Sequence, residues 1–149
     1  MALLDLIEED IIKVPLVSTS KSAVIKELIQ VLKDAGRLGD ENKVYEAVMK
    51  REDLSSTGLE RGIAVPHAKT DQVKTLTVAI GVSPAGVEFN AMDGAPSKLF
   101  FLILAPPDQS GPHIEALADI ARITRSDAFC RLVAAAGTPK EIVDIFCED

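Results

Sequence analysis

Apolar residues recur early in the chain at the three-and-four spacing of a helix: Val24, Ile25, Leu28, Ile29, Val31 and Leu32 form one broad stripe between Ser20 and Ala35, and Gly36 is a natural stop. A second helix is predicted after Asp40, a good N-cap, with Val44, Ala47 and Val48 at the same spacing, giving out near Arg51 to Leu54. A Ser-Ser-Thr-Gly turn follows. The period then falls to two. Gly62 to Val65 reads as a short extended piece, and Leu76, Val78, Ile80 and Val82 alternate with other residues as a strand does. A turn is predicted at Ser83 to Gly86, a short extended piece at Val87 to Phe89 and a further turn at Asp93-Gly94. Leu99 to Leu104 is apolar without interruption, the pattern of a central strand covered on both faces. The last third returns to helix. Pro112 suits a first helical position, with Ile114, Leu117, Ala118, Ala121 and Ile123 facing inward; a shorter helix covers Ala128 to Ala136, and Thr138, Pro139 and Glu141 form a capping box that opens a terminal helix through Phe146. The chain reads as α/β, with helices flanking a mixed sheet.

At 149 residues, 47% of them hydrophobic, the chain is the size of one ordinary domain, and no repeat, low-complexity tract or linker divides it, so residues 1–149 are expected to form a single unit. No run approaches the roughly 18 apolar residues of a membrane span, and Met1 to Asp10 mixes Leu and Ile with acids rather than presenting a basic leader. A cytoplasmic, non-embedded protein is expected. A formal charge of −7 with scattered basic residues argues against a nucleic-acid partner and is compatible with a basic protein partner. Cys130 and Cys147 fall in predicted helices without metal-ligand spacing and are expected to be idle thiols.

The chain has only two histidines, and both fall at element boundaries. His67 follows Val65-Pro66; proline holds its predecessor extended and has no N–H to pair, so the strand is expected to end there and His67 to project from a sheet edge into a crevice. His113 sits just inside a helix start, where free N–H groups and the positive end of the helix dipole favour an anion and a neutral imidazole. A neutral imidazole nitrogen is a nucleophile near pH 7, and fixing the proton on one ring nitrogen makes the other a defined acceptor for phosphorus. Arg51, at the end of the second helix, is the leading candidate to grip phosphate in a guanidinium fork, and Thr57 is a candidate hydroxyl donor. Each has an ordinary alternative: a satisfied or solvated histidine, an arginine favoured by the dipole at a helix end, a threonine that serves only the turn beside Gly58. Glu52 and Asp53 read most simply as solvated charges.

Arg51-Glu52, then Ser56-Thr57-Gly58, then Gly62-Ile63-Ala64-Val65-Pro66-His67-Ala68 resembles, in order and spacing, the signature of the fructose/mannitol-type enzyme IIA family, the IIA components of the bacterial phosphoenolpyruvate-dependent phosphotransferase system, which includes a nitrogen-regulatory branch. A second block, Ala105-Pro106 through Gly111-Pro112-His113 and on to Leu117-Ala118, is similar too, so the likeness spans nearly the whole chain. The resemblance implies a three-layer α/β/α sandwich with a mixed central sheet. It implies that His67 takes a phosphoryl group from an HPr-like carrier and gives it to a IIB component, that His113 is the second active-site histidine, and that Arg51 supports the phosphoryl group. It implies no metal and no cofactor, and at most an association with a permease.

One departure is Leu59-Glu60-Arg61, which places a charged pair where many relatives have a small or amide-bearing loop, so that Arg61 could meet phosphate or partner; a solvated loop charge is the simpler reading. Two destinations for the phosphoryl group stay open: a sugar permease of the fructose or mannitol class, or a regulatory switch in which phosphorylation changes which proteins are bound. A metal-dependent hydrolase built on His67, His113 and a carboxylate is a remote third, since neither histidine lies in a compact metal-binding motif.

Overall fold

The computed structural model describes residues 3–147. Two 3-10 turns, Leu4–Leu6 and Glu9–Ile11, lead into a two-residue strand, β1 (Ile12–Lys13). Helix α1 (Lys21–Asp34) starts on Ser20, whose hydroxyl accepts from Ala23 N at 3.4 Å, and it buries Val24, Ile25, Leu28, Ile29 and Leu32 as the stripe requires. Helix α2 (Glu41–Leu54) is capped by Asp40, which accepts from Asn42 N and Lys43 N at 2.9 and 3.2 Å, and buries Val44, Val48 and, unexpectedly, Glu52.

Among the described residues five strands form one mixed sheet. The central strand is β5 (Ser97–Ala105): antiparallel β4 (Thr77–Val87) lies on one side, and two short parallel strands, β2 (Ile63–Ala64) and β3 (His67–Lys69), lie on the other. β1 closes the far edge, parallel to β4 with Ile12 opposite Ile80. Lys98 is the only exposed residue of β5, which is why the strand reads as a continuous apolar run.

Successive side chains of a strand face opposite ways, and the sheet's two faces are told apart by their neighbours. Gly81 pairs with Phe100, and a Cβ on Gly81 would stand 2.8 Å from a terminal methyl of Leu28 of α1, so this face receives α1 closely over Gly81. Phe101, one residue on, meets Phe146 edge-on at 6.2 Å, and Phe146 meets Phe129 at 5.1 Å. That opposite face carries α3 (Ser110–Ile123), α4 (Asp127–Ala135) and α5 (Pro139–Cys147). The result is the expected α/β/α layering with a mixed central sheet. No helix among the described residues is long and apolar enough to cross a membrane.

Three local expectations change. The turn predicted at Ser83 to Gly86 is absorbed within β4 as an irregularity between Val82 and Val87, with Gly86 at φ +84°. The strand expected to end at Pro66 resumes at His67, because Pro66 lacks only a donor: its carbonyl still accepts from Ile103 N at 3.0 Å, and β3 continues along β5 with His67 opposite Ile103. Helix α3 starts at Ser110 rather than Pro112, which takes the third position, where a missing N–H costs nothing. Its buried residues are His113, Ala116, Asp119 and Ile120, and Ile114, expected inward, is 66% exposed.

Candidate functional site

The site lies at the C-terminal end of β5, where β3 and the first turn of α3 meet. His67 opens β3 and shares the Phe101 face of the sheet through its pairing with Ile103, so its ring points toward α3. His113, at the fourth position of α3, is buried; the two rings lie edge to face with centroids 5.4 Å apart. Sequence reasoning singled out both histidines, and the fold brings them together across 45 residues of chain.

His67 Nδ1 is 2.8 Å from the carbonyl oxygen of Val65. A carbonyl only accepts, so Nδ1 carries the proton and Nε2 keeps its lone pair. Burial holds the pKa of His67 below its ordinary 6.5; the Val65 carbonyl opposes this, Arg51 adds to it, and Glu52 opposes it again. His113 is also shifted down, first by burial and then by the neighbouring His67 and Lys69. Desolvation is the first cause of the lowered pKa of His113, whose own N–H donates to Gln109 O at 3.2 Å in the first turn of α3. Its Nε2 is buried and has no hydrogen-bond partner among the described residues. Both rings are thus neutral near pH 7, and His67 offers one defined nucleophilic nitrogen.

An open cleft of about 540 Å³ holds both rings, together with Ala47, Lys50, Arg51 and Leu54 from α2 and Lys69 from β3. Arg51 is where the sequence placed it. Its Nη1 donates to Ser55 O at 2.8 Å, so the guanidinium both caps the end of α2 and lines the cleft. Lys50 and Lys69 were missed. The signal for Lys69 was available, since residues two apart on a strand face the same way; its Nζ donates to Ser110 Oγ at 2.8 Å beside the start of α3. Lys50 carried none, being a lysine on a helix surface.

Thr57 is not brought to the cleft. It is buried, and its hydroxyl and its N–H both go to the carboxylate of Glu52. Arg61 lies at the opposite end of β5. There its Nη1 is 2.8 Å from Asp127 and 3.3 Å from Arg125 O, and its N–H donates to Asp93 at 3.1 Å. Among the described residues no cluster of three or more His, Cys, Asp or Glu is placed to hold a metal ion. A second hollow, about 560 Å³, lies between Gly36 to Gly39 and Lys74 to Val78, but it holds no histidine, and its arginine, Arg37, is paired with Glu8 and Asp10.

The class this geometry defines is a small α/β protein that presents one imidazole nitrogen, backed by a second imidazole and ringed by cations, to an anionic group. The comparisons sharpen it. Residues 5–148 match the family model described as "Phosphoenolpyruvate-dependent sugar phosphotransferase system, EIIA 2". The fructose-specific EIIABC component of Bacillus subtilis is 36% identical over 145 residues, 97% of this chain, and the chain spans only 23% of that protein. The fructose-specific EIIA component of Haloferax volcanii is 34% identical over 129 residues, 87% of this chain and 84% of its own. The crystal structure of nitrogen regulatory protein IIA-Ntr from Neisseria meningitidis superposes with a TM-score of 0.87 at 27% identity, covering 96% of this chain and 97% of that one. The chain belongs to the EIIA type 2 family of the phosphoenolpyruvate-dependent phosphotransferase system.

Proposed function

We propose that the chain works as a single phosphocarrier unit whose acceptor is His67 Nε2, receiving a phosphoryl group from a phosphohistidine on an HPr-like carrier and passing it to a IIB component of the fructose or mannitol class. The observation that carries this is the bond from His67 Nδ1 to Val65 O, which fixes the ring proton away from the reacting nitrogen. In the forward step the Nε2 lone pair forms a bond to phosphorus while the donor's P–N bond breaks, its electron pair returning to the donor imidazole. His67 keeps its Nδ1 proton, and the Val65 carbonyl stabilises the positive charge that develops on the ring. Arg51, Lys50 and Lys69 offset the charge spread over the three equatorial oxygens, and the buried His113 Nε2 edge stands beside the transferring group. No metal or cofactor is assigned a step. Leu54, 80% exposed, and Ile114 supply apolar surface at the rim, as docking of a protein carrier requires.

A regulatory role is the second reading, favoured by the close superposition on IIA-Ntr. There the same phosphorylation of His67 would change which target proteins are bound.

The test incubates the protein with phosphoenolpyruvate, enzyme I and HPr and follows an acid-labile adduct by intact mass and peptide mapping. A single phosphoryl group on His67 is expected; an adduct mapped to His113 with His67 unmodified would overturn the assignment. Phosphoryl passage to a IIB protein then separates transport from regulation.

A further inference from the structure

The sequence assigns Glu52 no role, yet it is the most deeply committed carboxylate near the site. It sits on α2 one residue beyond Arg51, and its side chain is 1% exposed. Three groups hold it: Lys21 Nζ at 3.0 Å, Thr57 N at 3.0 and 3.1 Å, and the Thr57 hydroxyl. Lys21 also lies over the ring of Phe89, 4.8 Å from its centroid, so the counter-ion is itself held in place.

What Glu52 fastens is the segment from which both cleft groups hang. Arg51 donates to the carbonyl of Ser55 at one end of that segment. At the other, Thr57 O accepts from Val65 N at 3.0 Å, and Leu59 N donates to Ile63 O at 2.7 Å, so residues 57–59 run antiparallel to 63–65. The carbonyl oxygen of Val65 then accepts the hydrogen bond from Nδ1–H of His67. Gly58 allows this path, because a Cβ there would lie 2.9 Å from the backbone of Phe89 and Ala91.

We infer that Glu52 is a positioning residue for phosphoryl acceptance: held by Lys21, its carboxylate clamps Thr57, Thr57 pins Val65, and Val65 fixes the tautomer that leaves Nε2 of His67 as the nucleophile. The inference rests on the assignment of His67 as acceptor. A clamp of this kind acts on the geometry and protonation of another side chain, so removing it shows in the imidazole before it shows in the fold.

The experiment uses the full chain with its histidine rings labelled with nitrogen-15, and phosphoramidate as donor, so no partner protein is involved. In that reaction Nε2 bonds to phosphorus, the P–N bond of the zwitterionic reagent breaks, and ammonia leaves with the electron pair. The wild-type ring should show one tautomer with the proton on Nδ1 and yield the Nε2 adduct. Glu52→Gln and Thr57→Val should each give mixed tautomers and a rate about tenfold lower, while Thr57→Ser, which keeps the hydroxyl, should recover most of the loss. A folded Glu52→Gln with the wild-type ring spectrum and rate would overturn the inference. A wild-type ring already divided between tautomers would do the same without any variant, so the test holds even where a variant does not fold. No adduct on His67 in the wild type would instead overturn the functional assignment on which the inference stands.

Discussion

The two ends of β5 use cations in opposite ways. At the N-terminal end Arg61 is consumed by the fold: its guanidinium meets Asp127 and the Arg125 carbonyl, and its backbone, at φ +61°, is tied to Asp93. At the C-terminal end Lys50, Arg51 and Lys69 line the cleft around the two histidines, and none forms an ion pair with a carboxylate among the described residues. A positive charge paired within the fold serves the fold. One left beside a neutral nucleophile is available to an anion that arrives from outside, and carboxyl ends of strands are where α/β sheets place such sites.

The contrast can be broken most sharply at His67. His67→Ala should abolish the acid-labile adduct from phosphoenolpyruvate, enzyme I and HPr, measured by intact mass, and any residual adduct near the wild-type yield would place the chemistry elsewhere. Arg51→Ala should slow acceptance by on the order of 10²-fold, the scale of removing one preorganised charge-stabilising donor, with Arg51→Lys intermediate in a quenched-flow assay. His113→Ala should leave His67 phosphorylated but slow onward transfer about tenfold; discharge to a IIB protein at the wild-type rate would count against that role.

Acidification should act more gently. Both histidines have pKa values lowered from 6.5, so the unfolded chain takes up protons first as pH falls. Stability is therefore retained above 6.5 and lost as pH drops from there through the lowered folded-state values. The acidic limb of acceptance by the free protein should likewise lie below 6.5, and a limb above it would contradict the half-buried, neutral ring. The smallest effect belongs to the other end of the strand. Arg61→Ala removes a pair whose side chains are 49% and 65% exposed, so it should cost less than about 1 kcal/mol in urea unfolding and leave the transfer rate unchanged. A drop in rate would mean that the two ends are not separate.

The readable parts of this fold are those whose cause is local. Ser20 and Asp40 cap their helices through their own side chains, and β5 is apolar because both its faces are covered. Where the cause lies elsewhere in the chain, the sequence is silent or misleading. β1 is two residues long and exists through its pairing with β4, so no alternation could reveal it. Ser83 to Gly86 has the composition of a turn, yet it lies within β4 as an irregular stretch, because pairing with β5 holds at Val82 on one side of it and at Val87 on the other. Ile114 was expected inward on α3 because it is apolar, yet the buried positions there are His113, Ala116, Asp119 and Ile120, two of which carry polar side chains that a hydrophobic stripe does not mark. At the site, His67, His113 and Arg51 stood out by residue type and motif. Thr57 was read by its hydroxyl alone, and only the burial of Glu52 shows where that hydroxyl goes.

The acceptor for the Nδ1 proton of His67 belongs to the main chain, and a main-chain oxygen is indifferent to which side chain a codon specifies. Position 65 can therefore drift among residues that favour extended backbone and pack in the core without the imidazole losing its orientation. Selection on the nucleophile's tautomer falls on whatever shapes the path of residues 63–67, so substitutions there should be tolerated by conformation rather than by chemistry.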